Sequence, residues 1–179
     1  MSEQKSDSGN FPQRVGKTMV IIAWVVLLAL LSWLFSIYLQ RQHNPNNDVQ
    51  GYSSTGVQEV VLERNRYGHY VATGRINGQS VTFMLDTGAT IVDIPENIAS
   101  GLSLERGPPF QAMTANGVIS VYSTILDEVQ LGGIRLTGVR ASINPSSQED
   151  EILLGMSFLR QLDFSQQGDR LTLRQRGEP

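Results

Sequence analysis

Met19 to Leu39 reads MVIIAWVVLLALLSWLFSIYL, 21 residues without a charge, and no other stretch restricts the fold of this chain as much. As a helix rising about 1.5 Å per residue, it covers about 30 Å, the hydrocarbon thickness of a bilayer. A cleaved signal peptide has a shorter apolar core followed by a small-x-small site, and no such site follows here. A helix buried in a soluble core rarely needs so long an uncharged run. The sequence therefore predicts a transmembrane helix over 19–39, with Tyr38 as an interfacial aromatic. That helix divides the chain. Residues 1–18 are polar and read as a disordered cytoplasmic tail. Residues 40–56 are rich in Asn, Gln, Ser and Gly and read as a flexible linker, spanning roughly 20–25 Å as a random coil. Residues 57–179 remain for one folded domain with one core.

Charge sets the expected topology. Lys5, Arg14 and Lys17 precede the apolar run and Arg41 alone follows it closely, which places the N-terminus in the cytoplasm. The domain then lies across the membrane, in the periplasm of a Gram-negative cell. Residues 51–179 hold ten arginines against fourteen acids, so no basic patch suggests nucleic acid. The absence of cysteine excludes disulfides, thiolate zinc sites and cysteine nucleophiles. His43 and His69 are the two histidines, on the linker and beside a glycine. A histidine metal cluster or a histidine-based triad is not expected from them.

The domain reads as all-β, with one or two short helices. Strands are predicted over 57–62, 70–76, 80–85 and 91–94, with Asn77-Gly78 as a two-residue hairpin turn between the second and third. Pro95 can open a short helix over 96–100. Gly107-Pro108-Pro109 reads as a loop. A second hairpin turns at Asn116-Gly117, between residues 112 and 119. Strand-like segments follow at 123–126, 129–131, 134–136 and 139–143, with Gly132-Gly133 as a turn. Residues 145–151 form a polar loop, 152–154 a strand ending at Gly155, 156–162 a helix, and 170–173 a final strand.

Within this pattern, Phe83-Met84-Leu85-Asp86-Thr87-Gly88-Ala89-Thr90 carries the chemistry. Three apolar residues run as a buried strand into a carboxylate, and glycine then lets the chain turn sharply. The stretch resembles the catalytic motif of aspartic proteases. Ile152-Leu153-Leu154-Gly155 resembles that family's second motif, which passes beneath the catalytic loop. With the anchor, the chain resembles the membrane-anchored retropepsin-like aspartic proteases of bacteria. The resemblance implies a closed retropepsin-like β-barrel or sandwich. It makes Asp86 the catalytic acid, fixed by the Thr87 hydroxyl and the Gly88 backbone, with Ala89 and Thr90 facing substrate. The hairpin at Ala115, Asn116 and Gly117 is either an ordinary sheet hairpin or the flap that folds over substrate. The family layout favours the flap. Viral members carry an acid and an arginine where this chain has Thr90 and Met156, so an ion pair is lost as a unit.

Peptide hydrolysis by carboxylates needs one acid protonated and one ionised, which two carboxylates about 3 Å apart achieve by sharing a proton. This chain has one Asp-Thr-Gly and is too short for two lobes. The resemblance therefore implies a homodimer, with Asp86 of each protomer at the two-fold axis. It implies a peptide or protein substrate, no cofactor and no metal. A non-catalytic binding module and a membrane-anchored scaffold are the alternative readings.

Overall fold

The computed structural model of the chain describes residues 11–49, 51–54, 57–114 and 117–175. Two units are distinguished, one up to Gln40 and one from Arg41. The first unit is the body of helix α1, Phe11–His43, which extends beyond the predicted span at both ends. At 33 residues it is about 50 Å long. From Met19 to Leu39 every side chain except that of Ile37 is exposed, including Trp24, Trp33 and Phe35. A helix apolar on all sides and covered by no protein is compatible with a single-pass membrane anchor.

The second unit is built of strands. They are β1 (Gly51–Ser54), β2 (Val57–Glu63), β3 (Tyr70–Ile76), β4 (Gln79–Leu85), β5 (Val92–Pro95), β6 (Pro109–Thr114), β7 (Gly117–Leu131), β8 (Ile134–Asn144), β9 (Ile152–Leu154), β10 (Asp163–Gln167) and β11 (Arg170–Gln175). Two short helices, α2 (Glu96–Gly101) and α3 (Met156–Leu159), interrupt them. Hydrogen bonding gives the order β3-β4-β9-β5-β8-β7-β6, and β7 returns to β3 through Arg75 with Gln130 and Ile76 with Val129. Six strands thus close a barrel, with β6 attached outside it on β7. A separate sheet has the order β1-β2-β11-β10. The predicted all-β closed barrel is the observed fold.

Alternation of side chains decides what fills the barrel. Val81 and Phe83 of β4, Leu126 and Val129 of β7, Leu136 and Val139 of β8, and Ile152 and Leu154 of β9 all point into one core. Phe158 and Leu159 of α3 close one part of it. Asn77 and Gly78 turn β3 into β4 with φ of 49° and 81°, the left-handed pair that a two-residue hairpin requires. The breaks expected near 127 and 137 are bends rather than ends. Strands β7 and β8 keep one register from Tyr122↔Ile143 to Leu131↔Ile134, while Gly138 adopts φ 63° opposite Asp127.

Several boundaries differ from the sequence reading. Pro109 begins β6 instead of ending a loop. The helix after Gly155 is a single turn, Met156–Leu159, continued by tighter turns to Leu162. Strand β10 was not predicted. The largest correction concerns residues 40–56, expected as a flexible linker. Residues 44–49 are docked on the barrel and 51–54 form β1, paired with β2. Asn46 is buried. Its Nδ2 donates to the carbonyls of Glu63 and Val71 at 2.9 and 2.7 Å, and its Oδ1 accepts the Glu63 N–H at 2.7 Å. Thr73 N–H donates to the Asn46 carbonyl. Asn44 adds a bond from its Nδ2 to Thr73 Oγ1, and His43 pairs with Glu151. An asparagine amide offers donor and acceptor together, so a composition typical of loops here satisfies strand ends.

Candidate active site

Strand β4 carries Asp86 out of the barrel. Its last residues Phe83, Met84 and Leu85 lie parallel to Ile152, Leu153 and Leu154 of β9. On its other side β9 meets β5 at Asp93↔Leu153. The short β9 therefore threads between the strand entering the Asp86 loop and the strand leaving it. Gly155 follows directly and lies under the loop. A Cβ at this position would fall on the carbonyl oxygens of Ile91 and Ala89, so only glycine allows the passage.

Backbone bonds then fix the loop from below. Asp86 N–H donates to the Leu154 carbonyl at 3.3 Å, and Met156 N–H donates to the Ala89 carbonyl at 2.8 Å. Within the loop, Ala89 N–H donates to the Asp86 carbonyl at 3.3 Å. Gly88 N–H donates to Asp86 Oδ1 at 2.8 Å. Asp86 is partly buried, whereas Thr87, Gly88 and Thr90 are exposed and Ala89 is intermediate. Among the described residues, Asp86 forms no ion pair. One carboxylate oxygen is thus held by a backbone amide, and the other is left to face solvent or a reactant.

The geometry sorts the sequence-predicted residues. Asp86 and Gly88 are brought together as expected. Among the described residues no hydrogen bond joins the Thr87 hydroxyl to Asp86, and the amide of Gly88 supplies the expected contact. Gly117 opens β7 with φ 117°; Ala115 and Asn116 lie outside the described residues. Strands β6 and β7 pair from Pro109↔Tyr122 to Thr114↔Gly117, with Met113 opposite Val118. These two side chains are 88% and 59% exposed, which leaves an uncovered apolar pair near the hairpin tip.

The base of that hairpin is pinned. Gly107 N–H donates to the Ser123 carbonyl at 2.7 Å, and Ser123 N–H donates to the Pro108 carbonyl at 3.1 Å. Arg106 pairs with Glu96 and lies 4.8 Å over the Tyr122 ring. A cavity of about 750 Å³ opens beside this base, against Ile91, Leu104, Arg106, Phe110, Ile125 and Arg140. Asp86 does not line it.

Three further residues lie in the strands and helix around the loop. Ser157 Oγ accepts the Val92 N–H at 3.0 Å and donates to the Arg140 carbonyl at 2.7 Å. It ties α3 to the strand leaving the loop. Asp93 accepts from Ser142 Oγ at 2.6 Å and Asn144 Nδ2 at 2.8 Å, so its carboxylate is occupied within β5 and β8. Tyr70 sits opposite Leu85, with a buried hydroxyl that has no partner among the described residues. Position 157 follows the Leu-Leu-Gly motif by two residues, but nothing in its sequence context distinguishes a buried serine from an exposed one.

Comparison with known proteins adds to this geometry. A family profile described as "gag-polyprotein putative aspartyl protease" matches residues 72–161. This range includes the Asp86 loop, the β6–β7 hairpin and Gly155. An uncharacterized protein in the cobV 5' region of Sinorhizobium sp is 33% identical over 125 residues, 68% of this chain and 54% of its own length. An uncharacterized protein of Rickettsia prowazekii (strain Madrid E) is 28% identical over 145 residues, 79% of this chain and 62% of its own. The chain thus spans little more than half the length of these curated relatives. Among solved structures, a retropepsin-like aspartic protease from Rickettsia conorii matches at 29% identity with a TM-score of 0.57, over 69% of this chain and 96% of that one.

Proposed function

Because this chain belongs to the retropepsin-like aspartic protease family, we propose that it is an aspartic endopeptidase whose active site is completed by a second copy. The observation that carries this reading is the placement of Asp86. It follows the last residue of β4, β9 runs beneath it, and its Oδ1 is held by the Gly88 amide. Retropepsin-like proteins generally act as dimers on peptide substrates. One chain here offers one such carboxylate, and the chemistry needs two.

In the dimer, Asp86 of each protomer faces the other across a two-fold axis. At about 3 Å the two carboxylates cannot both ionise, so they hold one proton between them and titrate as a pair. The ionised member takes a proton from a water, and that water attacks the scissile carbonyl carbon. The protonated member donates to the carbonyl oxygen as the tetrahedral intermediate forms. Collapse of the intermediate breaks the C–N bond, with a proton delivered to the departing amine. Thr87, Gly88, Ala89 and Thr90 line the floor beneath the peptide, and the hairpin with Ala115, Asn116 and Gly117 covers it and limits water. Asp93 is bonded elsewhere and takes no part.

Replacing Asp86 by Asn tests this directly, because an amide cannot alternate between acid and base. Peptide cleavage by the full chain should be lost while the melting temperature is kept. Wild type mixed with excess Asp86→Asn protein should lose activity through inactive heterodimers. Residual cleavage by pure Asp86→Asn protein removes the mechanism.

The membrane arrangement belongs to the same proposal. Helix α1 anchors the chain once, with Lys5, Arg14 and Lys17 on the cytoplasmic side and the protease domain in the periplasm. Confinement to one membrane raises the effective concentration of the two protomers. A reporter that works only in the periplasm should be active when fused after Pro179 and silent when fused before Lys17. The reverse pattern overturns the orientation.

A further inference from the structure

The uncharged run ends at Leu39, and the second unit begins two residues later, at Arg41. Four residue steps from Leu39 to His43 cover at most about 14 Å, even fully extended. From His43 onward the chain is fastened to the barrel. The His43 carbonyl accepts from Asn65 Nδ2 at 2.9 Å, and its ring pairs with Glu151. Asn46 then binds Glu63 and Val71. These bonds leave no free tether, so covalent reach alone brings the surface around His43 to the place where the apolar run ends.

That surface is the loop between β2 and β3, Arg64-Asn65-Arg66-Tyr67-Gly68-His69. Buried Asn65 builds it. Its Oδ1 accepts the N–H groups of Tyr67 and His69, both at 2.9 Å, and its own N–H donates to the His69 carbonyl at 2.8 Å. Arg66 and Tyr67 are left on the outside, Tyr67 at 58% exposure. The Arg66 guanidinium lies 4.7 Å over the Tyr67 ring and donates to Gln42 Oε1 at 2.6 Å. A guanidinium has five N–H donors, so most of this one stays open. Among the described residues neither Arg41 nor Arg66 pairs with a carboxylate. The acids nearby are engaged: Glu151 with His43, Asp169 at 3.8 Å from Arg64, and Glu63 at 4.0 Å from Arg170. Asp48 lies further along the barrel, beside Thr73 and Arg75.

We infer that Arg41, Arg66 and Tyr67 form a docking surface for anionic phospholipid headgroups, so that the barrel rests on the bilayer instead of hanging free of it. The inference rests on the reading of α1 as a membrane anchor. The headgroup layer is about 5–8 Å thick. Arg41, two residue steps past Leu39, is within about 7 Å of it and so stays in that layer. Guanidinium groups there meet lipid phosphates, which they bind through paired N–H groups. Tyrosine suits the same depth, with an apolar ring and a hydroxyl that stays wet. Net negative lipid strengthens the contact, because juxtamembrane arginines are drawn to an anionic surface. The fastening also reaches the candidate site, since Glu151, the partner of His43, directly precedes β9. A docked loop therefore sets one orientation of the Asp86 loop relative to the membrane surface.

Tryptophan fluorescence reads depth, and both tryptophans of the chain, Trp24 and Trp33, lie in α1. The full chain is reconstituted in vesicles of two parts phosphatidylcholine to one part phosphatidylglycerol. Lipids brominated midway along the acyl chains should quench these two residues. No quenching overturns the anchor, and the docking surface falls with it. A second protein carries Trp24→Phe, Trp33→Phe and Tyr67→Trp, so that all emission comes from position 67. Lipids brominated close to the headgroup should quench it. That quenching should weaken in phosphatidylcholine alone, be lost with Arg41→Gln and Arg66→Gln together, and survive Arg41→Lys with Arg66→Lys. Melting curves separate lost docking from lost folding, and if the Gln variant is unfolded the comparison of the two lipid compositions decides. Position 67 unquenched while Trp24 and Trp33 are quenched overturns the docking surface and leaves the anchor standing. So does quenching at position 67 that is indifferent to lipid charge.

Discussion

The floor of the candidate site and the hairpin proposed to cover it are held in opposite ways. The floor is over-determined. Strand β9 pairs on both sides, Gly155 fits where no larger residue can, and two backbone bonds, Asp86 N–H to Leu154 and Met156 N–H to Ala89, tie the loop to β9 and α3. The hairpin is fastened at Gly107, Pro108 and Ser123, while its outer half is held by its own cross-strand pairing. Phe110, Met113 and Val118 are exposed there. The difference matches what the proposed function asks of each part. Under the proposed function, a carboxylate that meets its mate at about 3 Å tolerates little displacement. A cover must open to admit a peptide, so it draws on a region of low local stability.

Gly155→Ala is the most severe test of this contrast. The added methyl would fall on two carbonyl oxygens, so either the loop or β9 has to shift. Overpacking of this kind costs about 1–3 kcal/mol, and a melting curve should register it. The larger loss should be in catalysis, because a displacement near 1 Å at the reacting groups costs about a hundredfold in rate. A Gly155→Ala protein with unchanged melting temperature and unchanged kcat/KM would show that the floor is not rigid.

This contrast also explains which parts were legible from sequence. The floor is written in local signals: an apolar triplet before Asp-Thr-Gly, and Leu-Leu-Gly later. Its hairpins carry Asn-Gly and Gly-Gly turns, which need particular backbone angles whatever surrounds them. Beyond such signals the reading was weaker. Asn44 and Asn46 look like linker residues until Glu63, Val71 and Thr73 are placed beside them. Strand β10 has no alternating apolar pattern, because it buries no face. Its existence follows from β11, with which it pairs throughout. Ser157 is an ordinary serine until Val92 and Arg140 approach from elsewhere in the chain. For the asparagines and Ser157 the missing information was a partner distant in sequence; for β10 it was the strand that follows it.

Substitution at the hairpin tip has the smallest expected effect on stability and separates the two regions most cleanly. Met113 and Val118 face each other across β6 and β7 and are 88% and 59% exposed. Replacing both by Ser removes apolar surface that the isolated chain does not bury, so stability should change by about 0.5 kcal/mol or less. If the hairpin covers a bound peptide, the same surface becomes buried in the complex, at roughly 25 cal/mol per Å². The loss then appears as a raised KM for peptides with apolar side chains, since contact made equally in ground and transition states affects binding alone. An effect on kcat with KM unchanged would mean that the tip acts only when the transition state is reached. If neither constant changes, the hairpin does not touch the peptide, and the contrast with the floor would concern the barrel and not its function.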